Sequence, residues 1–257
     1  MTSTPADPHA GAAPAWRRVL AQTDFEARAI LRNGEQLLVT IVVPVFALIG
    51  LTKVTALDVD TGGLSRIDFF TPGILALAVM TASFTSQAIA SSFDRRNGVL
   101  RLLSTTPLGR GGLLAGKVVG VLVVEVVQVV VIGAVAALLG WRPDPAGIAL
   151  AVVAVLLGTA AFTSLALLVA GTLRAEAVLA VANLALLVLA VAGGVVVPAS
   201  RLPGAMEHLA LLLPSGALGE AMRDAFQHGT LPAWSVVVLL GWTAALGWGA
   251  SRLFRWH

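Results

Sequence analysis

Cysteine is absent from the 257 residues, and the four histidines are scattered at His9, His208, His228 and His257. Without cysteine there is no disulfide, no thiolate metal site and no cysteine nucleophile. The histidines have no H-E-x-x-H spacing, Glu207 beside His208 is a lone pair, and no nucleophile-elbow serine occurs. The chain therefore shows no catalytic set and no metal set. Charge is scarce too, with 12% of residues charged against roughly 25% in a soluble domain.

What the chain has instead is apolar length. Hydrophobic residues make up 57% of it and mean hydropathy is +0.89. The excess lies in runs of about 18 residues or more, the length that crosses the hydrocarbon core of a bilayer. We read an all-α membrane protein with six transmembrane helices at about 36–51, 70–92, 113–139, 146–172, 177–197 and 231–252. Residues 15–257 make one transmembrane domain, with no length left for a nucleotide-binding domain, and residues 1–14 are expected to be a disordered tail. The pI of 10.5 arises from a net charge of only +3 with arginines at span ends, so it is read as a topology signal and not as a nucleic-acid footprint.

From Ala15 to Arg32, Trp16, Val19, Leu20, Thr23, Ala27, Ile30 and Leu31 share one helical face, and Arg17, Arg18, Gln22, Glu26 and Arg28 the other. That pattern predicts an interfacial helix with its polar face in water. Pro44, inside the first span, frees the carbonyl of Thr40, to be taken by a neighbouring helix or by the hydroxyl of Thr40. With a cytoplasmic N-terminus, twelve of the 17 Lys and Arg fall on the inner side and five on the outer, which puts both termini inside. Before the last span, two short apolar segments at 203–213 and 215–227, broken at Pro214, read as a re-entrant hairpin in the outer mouth.

The loop between the second and third spans carries the most information. It runs Phe93-Asp94-Arg95-Arg96-Asn97-Gly98-Val99-Leu100-Arg101-Leu102-Leu103-Ser104-Thr105-Thr106-Pro107-Leu108-Gly109-Arg110. A short helix with an apolar stripe at Val99, Leu102 and Leu103 stops at Thr106-Pro107. On periodicity alone it fits docking on a protein and lying on the membrane surface equally well. Gly111 to Lys117 spells G-x-x-x-x-G-K, but Val118 replaces the Ser or Thr that holds Mg²⁺ and no strand precedes it. Gly112, Gly116 and Gly120 are read as small residues for close helix packing.

This loop resembles the ABC-2 type permease family, drug- and antibiotic-exporting members included. The family pattern is approximately R-E-x-G-T-L-E-x-L-L-x-T-P-L-S, then an apolar run ending G-K. Arg96, Gly98, Leu100, Leu102, Leu103, Thr105 or Thr106, Pro107, Leu108, Gly116 and Lys117 stand at matching places, while Asn97 and Arg101 fill its two acidic positions. Leu202-Pro203-Gly204, Leu213-Pro214-Ser215 and Glu220-Ala221-Met222-Arg223 resemble the segment before the family's last span.

The resemblance implies a bacterial plasma-membrane permease, multi-pass with both termini cytoplasmic, whose loop helix is a coupling helix seated on a separate ABC ATPase. It implies no cofactor in this chain, ATP and Mg²⁺ on the partner, a homodimer or heterodimer, and export of an amphipathic drug, lipid or glycan. A haem-exporter-like subunit and an ion-coupled secondary transporter are the alternatives. Candidates for the substrate path are Ser83 and Gln87 in the second span, Glu125 in the third and Asn183 in the fifth. Glu125 is read either as functional or as a neutral carboxyl bonded to Gln128 or a neighbouring helix, because an ionisable group at that depth costs several kcal/mol unless paired, protonated or hydrated.

Overall fold

The computed structural model describes residues 13–54, 59–201 and 203–254, with the side chains of Ser104 and Arg110 left aside. The expected tail thus lies, apart from Ala13 and Pro14, outside the described residues. In chain order the helices are α1 (Ala15–Leu31), α2 (Gly34–Lys53), α3 (Arg66–Arg96), α4 (Val99–Ser104), α5 (Gly109–Leu138), α6 (Pro145–Thr172), α7 (Ala175–Ala192), α8 (Ala205–Leu212), α9 (Pro214–His228) and α10 (Ala233–Leu253). Among the described residues there is no strand. Six of the helices, α2, α3, α5, α6, α7 and α10, are long and apolar enough to cross a membrane, and the chain is an all-α multi-pass membrane protein.

The spanning helix α3 is the axis of the bundle. Of its most apolar window 89% is buried by other parts of the chain, against 17% for α2 and α7, whose remaining surfaces face outward. Its residues suit that place: Ala78, Ala82 and Ala88 let neighbours approach, and the hydroxyls of Thr71, Thr81 and Ser83 donate to Ile67, Leu77 and Val79 carbonyls of α3 itself. It is longer than the run at 70–92 because Ser65 caps its start, accepting from the Asp68 N–H at 3.2 Å, and nothing breaks it before Asn97 and Gly98. Around it, α6 packs on α10, α9 and α3, α2 packs on α3, and α1 lies along α5.

Two prolines interrupt this bundle, and each frees a carbonyl that another helix takes up. A π turn at Leu38–Val42 precedes Pro44, and the Thr40 carbonyl accepts from Gln128 Nε2 of α5 at 2.7 Å. The Thr40 hydroxyl is not the compensation, since it donates to Gln36 at 2.7 Å. Pro72 in α3 frees the Asp68 carbonyl, which accepts from Gln227 Nε2 of α9 at 3.3 Å. A second π turn, Thr81–Ser86, lies in the middle of α3.

The end of the bundle opposite the basic loop is closed by α8 and α9, which join at Leu213 in an extended conformation before Pro214. Ser215 to Gly219 of α9 are buried, and Arg223, 3% exposed, donates to the Gly194 and Val195 carbonyls beyond α7 at 2.7 and 2.8 Å. Gly73 of α3 faces the same Val195 carbonyl with no room for a Cβ. Arg223 therefore ties the turn after α7 to α9, a role its position among the five outer cations did not announce.

Replacing Gln128 with Leu should orphan the Thr40 carbonyl and cost about 1–3 kcal/mol, read as a lower thermal unfolding midpoint of the detergent-solubilised protein. Adding Pro44→Ala, which restores a backbone donor, should recover part of that loss.

Candidate functional site

At the basic end of the bundle the chain reverses twice around α4. Gly98, at φ 75°, turns it out of α3, and Gly109, at φ 66°, turns it into α5; only glycine adopts such angles at little cost. Between them α4 is six residues long, and its sides are unequal. Leu100 is 2% exposed and packs among Ser91, Leu113, Leu114, Leu167 and Phe254. Val99 and Leu103 are half-buried, while Leu102 is 68% exposed. The stripe read from the sequence is unevenly buried: Val99 and Leu103 line the half-buried side and Leu102 projects, while Leu100, outside that stripe, is the buried anchor.

Immediately before this turn, three consecutive charges grip three other parts of the molecule. Asp94 Oδ2 accepts from Lys117 Nζ of α5 at 2.7 Å. Arg95 donates to the Gly171 carbonyl at the end of α6 at 2.7 Å, and to the Leu173 carbonyl beyond it. Arg96 pairs with Glu176 in the first turn of α7 at 2.7 Å while its guanidinium stacks over Phe93. The two arginines therefore hold the α6–α7 junction, with Arg95 placed on carbonyls at a helix C-terminus, where the dipole favours a cation.

Lys117 is the centre of a second grouping. It is 2% exposed, and besides Asp94 it holds Glu26 Oε1 of α1 at 2.8 Å, with Gln22 Nε2 donating to the same carboxylate oxygen at 2.7 Å. The buried stripe of α1 is rotated from the expected one, although Arg17 and Arg28 stay exposed as expected. Gln22 and Glu26, assigned to its water-facing side, are buried together with Thr23, Ala27 and Ile30, while Trp16 and Leu20 are exposed. Glycine spacing on α5 explains the seat. A Cβ at Gly112 would lie 2.6 Å from Leu108 Cδ1, one at Gly116 2.5 Å from Gln22 Cγ, and one at Gly120 2.8 Å from Glu26 Cβ. The bare backbone admits the polar side of α1, and Lys117 supplies the charge that side needs.

Between α1 and the loop lies a groove of about 510 Å³, lined by Arg18, Ala21 and Phe25 on one wall and Val99, Leu103, Thr106, Pro107 and Leu108 on the other. Arg18 donates to the Pro107 carbonyl across it. Thr105 and Thr106 close α4 by donating to the Leu102 and Leu103 carbonyls at 2.8 and 2.6 Å. The loop residues Arg96, Gly98, Leu100, Leu103, Pro107 and Leu108 thus surround one small structure, from which Leu102 projects.

The four substrate-path candidates are not joined to one another by hydrogen bonds. Ser83 and Gln87 are buried in α3 and bond within it, to the Val79 carbonyl at 2.6 Å and to Ser91 Oγ at 3.3 Å. Glu125, 1% exposed, accepts from the Thr159 hydroxyl of α6 at 2.6 Å and receives no hydrogen bond from Gln128, whose amide nitrogen donates to the Thr40 carbonyl. Asn183 is exposed on α7 and donates to the Leu179 carbonyl of that helix at 2.8 Å. The G-x-x-x-x-G-K run is helical throughout, with its lysine held by two carboxylates. Among the described residues no group of three His, Asp or Glu could hold a metal.

Six spanning helices with a charged, bonded loop at one end define an all-α multi-pass membrane protein. Residues 17–226 match the ABC-2 type transporter family model, and the chain belongs to that family. It is a membrane subunit of an ABC transporter, a transport subunit and not a catalytic one. No curated protein matches the chain in sequence.

Lys117→Met should leave the buried Glu26 carboxylate with only the Gln22 amide, and the partly exposed Asp94 without its cation, and cost about 3–5 kcal/mol, seen as early thermal unfolding in detergent. The triple variant with Glu26→Gln and Asp94→Asn removes the stranded charges and should regain most of the loss.

Proposed function

We propose that this chain is the permease of an ATP-driven exporter, that the basic loop faces the cytoplasm, and that α4 is the surface on which a separate ABC ATPase docks. The observation that carries the reading is the unequal burial of α4. Leu100 anchors it to the bundle, Leu102 stands 68% exposed, and the residues just before it reach α5, α6 and α7. A body pushing on Leu102 and on the groove beside Leu103 moves an element whose preceding residues are bonded to three helices. Force delivered there reaches the spans through ion pairs and carbonyl contacts, without any catalytic group in the chain.

In this reading the ATPase carries ATP and Mg²⁺, and the chain works as a homodimer or with a second permease in the bacterial plasma membrane, both termini inside. The α8–α9 hairpin sits at the outer mouth. Asn183, outward on α7, and the buried Ser83, Gln87 and Glu125 are the polar groups proposed for the route of an amphipathic drug, lipid or glycan.

The test is co-purification of the chain with candidate ATPase subunits. Leu102→Asp combined with Leu103→Asp should abolish the complex and its stimulated hydrolysis while the thermal unfolding midpoint stays near that of the parent. Persistence of both complex and hydrolysis would refute the docking role. The absence of cysteine makes a topology test direct: with Leu102→Cys alone, a membrane-impermeant maleimide should label the protein only after the cells are opened.

A further inference from the structure

Midway along α5, two side chains on one face are left with unused oxygen atoms. Glu125 and Gln128, three residues apart and each 1% exposed, lie one turn from each other on the helix surface. Gln128 donates to the Thr40 carbonyl, which fixes its nitrogen on that side. Its remaining amide atom, Oε1, can only accept, and it is buried without a hydrogen-bond partner. Glu125 Oε1 is in the same condition. Glu125 Oε2 shares the single hydroxyl proton of Thr159 with the Val155 carbonyl, at 2.6 and 2.8 Å. Three side-chain acceptor oxygens, Glu125 Oε1, Glu125 Oε2 and Gln128 Oε1, thus have one donor within hydrogen-bond reach, the Thr159 hydroxyl; the Gln128 nitrogen lies on the Thr40 side and reaches none of them.

The charges around it do not make up the deficit. Helix α6, which faces Glu125, has no titratable side chain. Those of α2 stand at its ends, Glu35 and Lys53, and those of α3 at its ends, Arg66 and Asp68, then Asp94, Arg95 and Arg96. Of the titratable groups on α1, Glu26 is held by Lys117 and Asp24 by Arg28, and Arg18 is turned to the loop. On α5 itself Lys117 is eight residues away, about 12 Å at the helical rise, and already binds two carboxylates. A carboxylate left ionised at this depth has one neutral hydroxyl to answer its charge, a costly arrangement in a low-dielectric interior.

We infer that Glu125 is a proton-binding site: its Oε1 carries a proton and donates it to Gln128 Oε1. One added proton then gives both orphaned oxygens a partner. It also completes a continuous chain of hydrogen bonds, from the Thr159 hydroxyl of α6 through Glu125 and Gln128 of α5 to the Thr40 carbonyl of α2, joining three spans. The carbonyl at its far end is the one that Pro44 leaves free, so the proline break and the buried acid are two ends of one arrangement. The inference does not depend on the docking role of α4.

The experiment uses the full chain in detergent micelles or nanodiscs. Infrared spectra at neutral pH should show a protonated-carboxyl carbonyl band that shifts in D₂O and is lost in Glu125→Gln. That variant, whose amide can donate to Gln128 and accept from Thr159, should keep the parent's unfolding midpoint, whereas Glu125→Met should lower it. A missing band, or one that survives in Glu125→Gln, overturns the inference, as does a clear drop in midpoint for Glu125→Gln. A midpoint that rises with Na⁺ or K⁺ at constant ionic strength in the parent but not in Glu125→Gln also overturns it, in favour of a metal cation at the same oxygens.

Discussion

The ammonium of Lys117 holds together what the rest of the basic end is built on. It joins α1, α3 and α5 through Glu26 and Asp94, and it is reached only because Gly116 and Gly120 let α1 lie against bare backbone. Neither half of this arrangement stands without the other. A side chain at Gly120 would push Glu26 away, and without Lys117 the buried Glu26 would keep only the Gln22 amide. The desolvation of three charges is costly, so the cluster's value lies in fixing geometry: it sets where α1 sits and where the end of α3 points.

A related constraint governs the spans. In lipid no water satisfies a backbone carbonyl freed by proline or by a helix end, so the protein must supply donors from elsewhere in the chain. It does so repeatedly with side chains from distant segments. Gln128 and Gln227 serve the carbonyls freed by Pro44 and Pro72. Arg223 serves the turn after α7, Arg95 the end of α6, and the indoles of Trp234 and Trp242 in α10 the Leu211 and Leu212 carbonyls at the end of α8. The polar residues of this sparse sequence are accordingly structural fasteners as much as candidates for a transport route.

These fasteners give the loop its mechanical reach. A six-residue helix pinned by Leu100 has little rigidity of its own, but Asp94, Arg95 and Arg96 sit one turn away and grip three other helices. The helices so gripped are α5, α6 and α7. The groove between α1 and the loop makes the N-terminal helix part of the same surface.

The six spans, the short loop helix with its Pro107 stop, the break at Pro214 and the carbonyl freed by Pro44 were legible in the sequence, because each follows from local composition or from a missing backbone donor. The loop motif also carried the family, since its residues are contiguous. Which way α1 faces was not legible: periodicity assigned Glu26 to water, and only a lysine 91 positions later, brought alongside by a glycine groove, makes burial tolerable. For the same reason the partners of Gln128, Glu125 and Arg223 were closed to sequence reasoning. Local pattern says that a polar group in lipid must be satisfied; the packing of helices far apart in the chain decides by what.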